Sequence, residues 1–370
     1  MAQTLLAFDS QPADLQTGFD IGWDHARHGL QAPHSGRDSD AVHQGWCAGR
    51  ACFGQRTLTA SRRARLWLAL RLQAWQHGRV FELAQVTPHY LGQLEVLRCP
   101  VTRRPLGAAE ASVDRVCDAA GYAAGNLAML SAQANRAKAD LGWEDALRRA
   151  HQAASQADGC VHGLDAAAWM RVAVLISFVT PLAHEQAARL PLRVLPPNRL
   201  RLLNPVQGLQ ALVTRELARP DGPRRLRALS DLLPGEALRA DFGRFVSALL
   251  PRCLEAGRDV DMDALRQALE DAWADARVNR CWQRFALQLD EPLVEQLLER
   301  CAAAGLAGMQ MLLHERDTAT EGWGLDTRGR VAPPAALRRR VLPGTCAGAW
   351  SEGAKISASR SRIADGRLPA

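Results

Sequence analysis

Within forty residues, Cys99 to Lys138, the chain gathers side chains able to do chemistry: Asp114 followed by Arg115, then Asn126, Asn135 and Lys138. They stand in four compact pieces: Cys99-Pro-Val-Thr-Arg-Arg-Pro-Leu106, Ser112-Val-Asp-Arg-Val116, Gly121-Tyr-Ala-Ala-Gly-Asn126 and Asn135-Arg-Ala-Lys138. By type alone, Asp114 and Arg115 could brace a turn as an ion pair, Asn126 could cap a helix, and Asn135 could sit in solvent. A guanidinium such as Arg115 cannot take a proton from water at neutral pH, although it can clamp a phosphate. Lys138 stands out because all but two of the 46 basic residues are arginine. It falls three residues after Asn135, on the same face of any helix that holds both.

Taken together the four pieces resemble the HNH, or ββα-metal, endonucleases, in particular a phage-associated branch with S-x-D-R, G-Y-x-x-x-N and N-x-x-K elements. The resemblance implies a hairpin and helix that cradle one divalent cation, which stabilises charge on a phosphate while a base activates water. It makes Asp114 the strand ligand and Asn135 the helix ligand. It also sets Asn126 at the entry to the helix and turns the Lys138 amine toward a phosphate. Oxygen donors suit Mg²⁺ or Mn²⁺. Two departures matter. Cys99-Pro-Val-Thr102 and Ser131-Ala-Gln-Ala134 stand where many members carry C-x-x-C pairs, so no structural zinc is expected. Arg115 stands where a histidine base is common, which leaves His89 as the nearest replacement in sequence.

The elements that must position these residues are read from periodicity. Ser61 to His77 predicts a capped helix, with Leu66, Leu70 and Ala74 on one face and Trp67, Arg71 and Trp75 on a neighbouring one. Val80 to Val86 and Tyr90 to Leu97 are strand candidates, and about Leu127 to Ala139 reads as the closing helix. Downstream, helices are expected over Asp165 to Phe178, Asn204 to Leu217, Glu236 to Glu255, Asp261 to Leu287 and Glu291 to Ala304.

The fold class expected is α+β: a small ββα-metal-like core with a preceding helix and strands, followed by a large all-helical domain. The divisions are an irregular arm over 1–43, a basic HNH-like domain over 44–141, an all-helical domain over 142–327 and a basic, disordered tail over 328–370. Net charge is +7, and between Gln44 and Arg104 ten arginines face only Glu82 and Glu95. Arg62, Arg63, Arg65, Arg103, Arg104 and Lys138 are the candidates for contact with a duplex DNA backbone, a salt-sensitive interaction. Nine cysteines without a C-x-x-C pair argue for reduced thiols. No secretory signal or membrane span is legible, so a cytoplasmic protein is expected.

Three functions remain open. The first is a metal-dependent DNA endonuclease of HNH type, with Asp114, Arg115, Asn126 and His89 at the centre. The second is a non-catalytic nucleic-acid-binding protein of a mobile element or defence locus. The third is a helical interaction protein, with a protein partner for its helical domain and a vestigial HNH-like scaffold.

Overall fold

The structure is a computed structural model that describes residues 10–34, 40–219, 221–255, 262–306, 310–311, 314–315, 319–325 and 340–345. Helices α1 (Ser10–Arg27), α2 (Ala41–Phe53), α3 (Arg62–Gln76) and α4 (Pro88–Gln93) lead into strands β1 (Ala111–Arg115) and β2 (Leu127–Ser131) and helix α5 (Ala132–Lys138). Next come α6 (Trp143–Ser155), β3 (Cys160–Val161), β4 (Leu164–Asp165), α7 (Ala166–Phe178), α8 (His184–Arg189), β5 (Leu200–Leu202) and α9 (Pro205–Leu217). The remaining elements are α10 (Gly222–Asp231), α11 (Glu236–Glu255), α12 (Met262–Ala272), α13 (Ala276–Ala286), α14 (Glu291–Ala303), β6 (Gln310–Met311), β7 (His314–Glu315) and β8 (Arg340–Thr345). The chain is thus mixed helix and strand, mostly helical, with only small sheets among the described residues.

Several elements differ from expectation. The supposedly irregular arm contains α1, which crosses α2 at backbone contact. A Cβ on Gly22 would lie 1.8 Å from the Val42 carbonyl oxygen, and one on Gly45 would lie 1.9 Å from that of Phe19. Glycine carries this contact, so no large apolar stripe announces it. Residues 80–97 form no strands: Phe81 makes one bridge to Tyr122, and Thr87 caps α4 by accepting from the Tyr90 N–H, with Pro88 at the first turn. The closing helix is shorter than expected, because 127–131 is strand β2 and Ser131, not Asn126, caps α5. Asp261 to Leu287 is two helices, broken where Asp275 caps α13. Most of the tail lies outside the described residues, but 340–345 is strand β8, paired with β5.

The β1–β2 hairpin lies between two cores. Val113, Leu127 and Met129 face Leu70, Ala74, Tyr90 and Leu91 of α3 and α4. Ala128 and Leu130, on the other face, join the main core. That core runs from Cys99 through Trp169, Trp273 and Trp282 to Trp323, crossing residues 141–142 without interruption. Arg103 strengthens the connection, bonding the Glu270 and Asp271 carboxylates of α12 at 3.2 and 2.7 Å. The Trp67, Arg71 and Trp75 face also packs inward: Arg71 lies over the Trp67 ring and pairs with Asp24. No helix among the described residues is long and apolar enough to cross a membrane.

Candidate functional site

Alternation along β1 turns Ser112 and Asp114 to one face, opposite Leu130 and Ala128 of β2. Helix α5 lies across this face. Asn135 and Lys138, three residues apart on the helix, meet Ser112 and Asp114, two apart on the strand. The Asn135 Nδ2 donates to Ser112 Oγ at 2.8 Å, and the Lys138 Nζ donates to Asp114 Oδ1 at 3.2 Å. The two sequence pieces are therefore the two sides of a strand–helix contact.

Lys138 is wholly buried and Asp114 is 4% exposed. The ammonium donates to Asp114 Oδ1 and to the carbonyls of Arg115 (2.9 Å) and Ala139 (3.2 Å), which uses all three of its hydrogens. It turns inward and has none left for a phosphate, contrary to the expectation for this residue. The Asp114 Oδ2 is buried and accepts no hydrogen bond. Burial pushes the Asp114 carboxyl up to about 6, outweighing the opposing pull of Lys138 and Arg115.

Asn126 shapes the loop between the strands rather than starting a helix. Its Oδ1 accepts from the Cys117 N–H at 2.8 Å, and its Nδ2 donates to the Cys117 and Gly121 carbonyls. Gly125 has φ +89°, and a Cβ there would lie 2.7 Å from the Arg201 side chain. Its N–H donates to Tyr90 Oη, and the Ala124 N–H donates to Glu82. Trp323 Nε1 donates to the Ala124 carbonyl, while Trp323 O accepts from the Gly121 N–H. Four distant segments thus hold one six-residue stretch, 121–126, so its glycines and asparagine are explained by packing and backbone pairing. Sequence reasoning missed Glu82, Tyr90, Arg201 and Trp323, which lack any shared spacing with the loop they support.

Arg115 closes the same loop from inside, bonding the Asp118 carboxylate and the carbonyls of Asp118 and Ala120, over the face of Tyr122. Those contacts take both Nη1 hydrogens and one on Nη2, so the guanidinium is turned to the acceptors of its own loop. Cys99, the one thiol retained from the expected pairs, accepts from the Thr102 and Ser131 N–H groups at 3.5 and 3.3 Å. Burial raises this thiol, but these bonds more than offset it and leave it below the ordinary thiol value. The sulfur so ties the 99–104 turn to the start of α5 directly.

His89 is an exposed residue in the first turn of α4, hydrogen-bonded to Gln93 at 2.9 Å, and no hydrogen bond or ion pair joins it to Asp114. Among the basic candidates, Arg63 forms two bonds to Glu95, and Arg103 is engaged with α12. Arg62, Arg65 and Arg104 are exposed and form no salt bridge among the described residues, although the Arg63 hydrogen bond and, behind it, the Arg62 charge lower the Glu95 carboxyl. Arg62 donates to the Ala108 carbonyl, next to the turn that carries Arg104.

The donor set does not fit a divalent cation. Asp114 and Asn135 do share a face, but an ammonium already lies against the carboxylate, and the Asn135 amide donates to a hydroxyl. Among the described residues no group of three His, Cys, Asp or Glu side chains could hold a metal ion. Comparison with known proteins returns no matching family model, no matching curated protein and no matching solved structure.

Proposed function

We propose that the protein binds nucleic acid without cutting it, on an HNH-like scaffold in which the Lys138 ammonium supplies the positive charge that a metal would bring. The observation that carries this reading is the buried Asp114–Lys138 pair. A carboxylate sealed from solvent and held by an ammonium cannot present two open oxygens to a metal and a phosphate together. Arg115, beside it, has no capacity as a base. What supports binding is the basic stretch upstream, narrowed to the three exposed arginines that form no salt bridge among the described residues. Arg62 and Arg65 share one face of α3, and the Ala108 contact brings the turn bearing Arg104 toward them. Such a patch suits a phosphate backbone, with contacts independent of base sequence.

Gel shifts with duplex DNA over a range of salt concentrations test this. Changing Arg62, Arg65 and Arg104 together to Gln weakens binding and flattens its salt dependence, by up to about 0.9 in log–log slope for each phosphate that is no longer neutralised. Affinity and slope equal to those of the unaltered protein would refute the binding surface.

A further inference from the structure

Away from the Asp114 pair, the opposite side of α5 borders a cavity of about 460 Å³ shared with α6 and the β3–β4 turn. Its nitrogen-bearing side chains include Arg136 from α5, Arg149 from α6 and the His162 imidazole from the turn, with Ala137 and Leu141 as an apolar wall. No carboxylate lines it among the described residues. That distinguishes it from the cavity of about 310 Å³ beside Arg79 and Arg115, where Asp118 already pairs with both guanidinium groups.

The two arginines are held in place by neutral partners. Arg136 Nε donates to the Ala132 carbonyl and Arg149 Nη1 to Gln152 Oε1, so each guanidinium keeps amino hydrogens free of any acid among the described residues. His162 and Gly163 form the two-residue turn between β3 and β4, with φ +48° and +75°. Positive φ at both positions is what a two-residue hairpin turn of this hand requires, so the turn itself sets where the His162 side chain leaves the backbone. The turn is fastened to α5 by Gln133 Nε2, which donates to the Gly163 carbonyl at 2.8 Å.

We propose that this cavity binds the 5′-phosphate of a nucleotide, either free or at the end of a strand. Two guanidinium groups and an imidazole from three elements suit a multiply charged tetrahedral anion. The volume greatly exceeds a bare phosphate and lies in the range of small-molecule pockets, and the Ala137 and Leu141 wall suits a sugar or base. The strand-end form rests on the nucleic-acid reading above, whereas the free-nucleotide form does not.

The test uses the full chain and fluorescence anisotropy with a labelled short single strand carrying either a 5′-phosphate or a 5′-hydroxyl. Competition by adenosine 5′-monophosphate and by inorganic phosphate is measured alongside. A strand-end site gives about tenfold tighter binding of the phosphorylated strand. A free-nucleotide site gives no strand preference but direct binding of the monophosphate, by calorimetry, at least about tenfold tighter than inorganic phosphate. Arg136→Ala with Arg149→Ala abolishes either signal, as does Leu141→Trp, which fills the cavity, while circular dichroism shows the fold retained. Equal affinity for both strands together with no monophosphate binding by the unaltered protein overturns the proposal. That result would leave the Arg62, Arg65 and Arg104 gel shifts intact, so the two readings can fail separately.

Discussion

The two faces of helix α5 use polar side chains in opposite ways. Toward β1, Asn135 and Lys138 are matched to Ser112 and Asp114, and the buried ammonium has no hydrogen unspent. Toward α6, Arg136 lines an open cavity and meets no carboxylate among the described residues. The inward face carries the residues that most resemble a catalytic motif, yet its groups are engaged in holding the fold. The outward face is inconspicuous in sequence and keeps its charge available. Residue types that suggest a catalytic motif can thus be spent on holding the fold, while donors free of any acid are what the proposed ligand site is built on.

The largest expected effect lies on the inward face. Lys138→Met leaves the Asp114 carboxylate buried without its cation, and urea denaturation should show a loss of about 3–5 kcal/mol. Adding Asp114→Leu should recover most of it, because a well-packed apolar pair replaces the ionic one. A loss below about 1 kcal/mol for Lys138→Met would mean the pair is not a structural element. Asn126→Ala comes next, at about 2–4 kcal/mol, because it abandons the Cys117 N–H and the Cys117 and Gly121 carbonyls in a buried loop.

A smaller effect follows from protonation. Asp114 holds its proton up to about pH 6 in the folded chain, and an unfolded aspartate releases it near 3.9. Its contribution to stability is therefore fully present below about pH 4 and is lost as pH rises through about 6, at up to about 1.4 kcal/mol per pH unit. The stability difference between the unaltered protein and Asp114→Asn should change across that window and be flat above it. A difference constant from pH 4 to pH 7 would contradict the assignment. Smallest of all, Arg136→Ala with Arg149→Ala should change stability by no more than about 0.5 kcal/mol. A large loss would make the outward face structural as well and erase the contrast.

Much of this fold was legible where caps and helical period agree. Helices α3, α7, α9, α11 and α14 lie within a residue or so of expectation, helped by Ser61, Asp165, Pro205 and Asp290 at their starts. Strand β2 was not legible, since Leu127 to Leu130 are buried on both faces and show no alternation. At 80–97 the β-branched and aromatic residues outweighed the Thr87-Pro88 helix start. The site positions were visible as a motif, but their roles depended on strand β2. Only with 127–131 extended does α5 begin late enough to set Asn135 on Ser112 and Lys138 on Asp114. His162 and Arg149 carry no local signal, because only the packing of α6 and the β3–β4 turn against α5 brings them together.

Plasmid nicking in Mg²⁺ or Mn²⁺ tests the central claim most directly, comparing the unaltered protein with Asp114→Asn. With Lys138 at the carboxylate and no base beside it, neither protein should nick DNA above a protein-free control. Metal-dependent nicking by the unaltered chain that disappears in a folded Asp114→Asn variant would contradict the account and return Asp114 to catalysis.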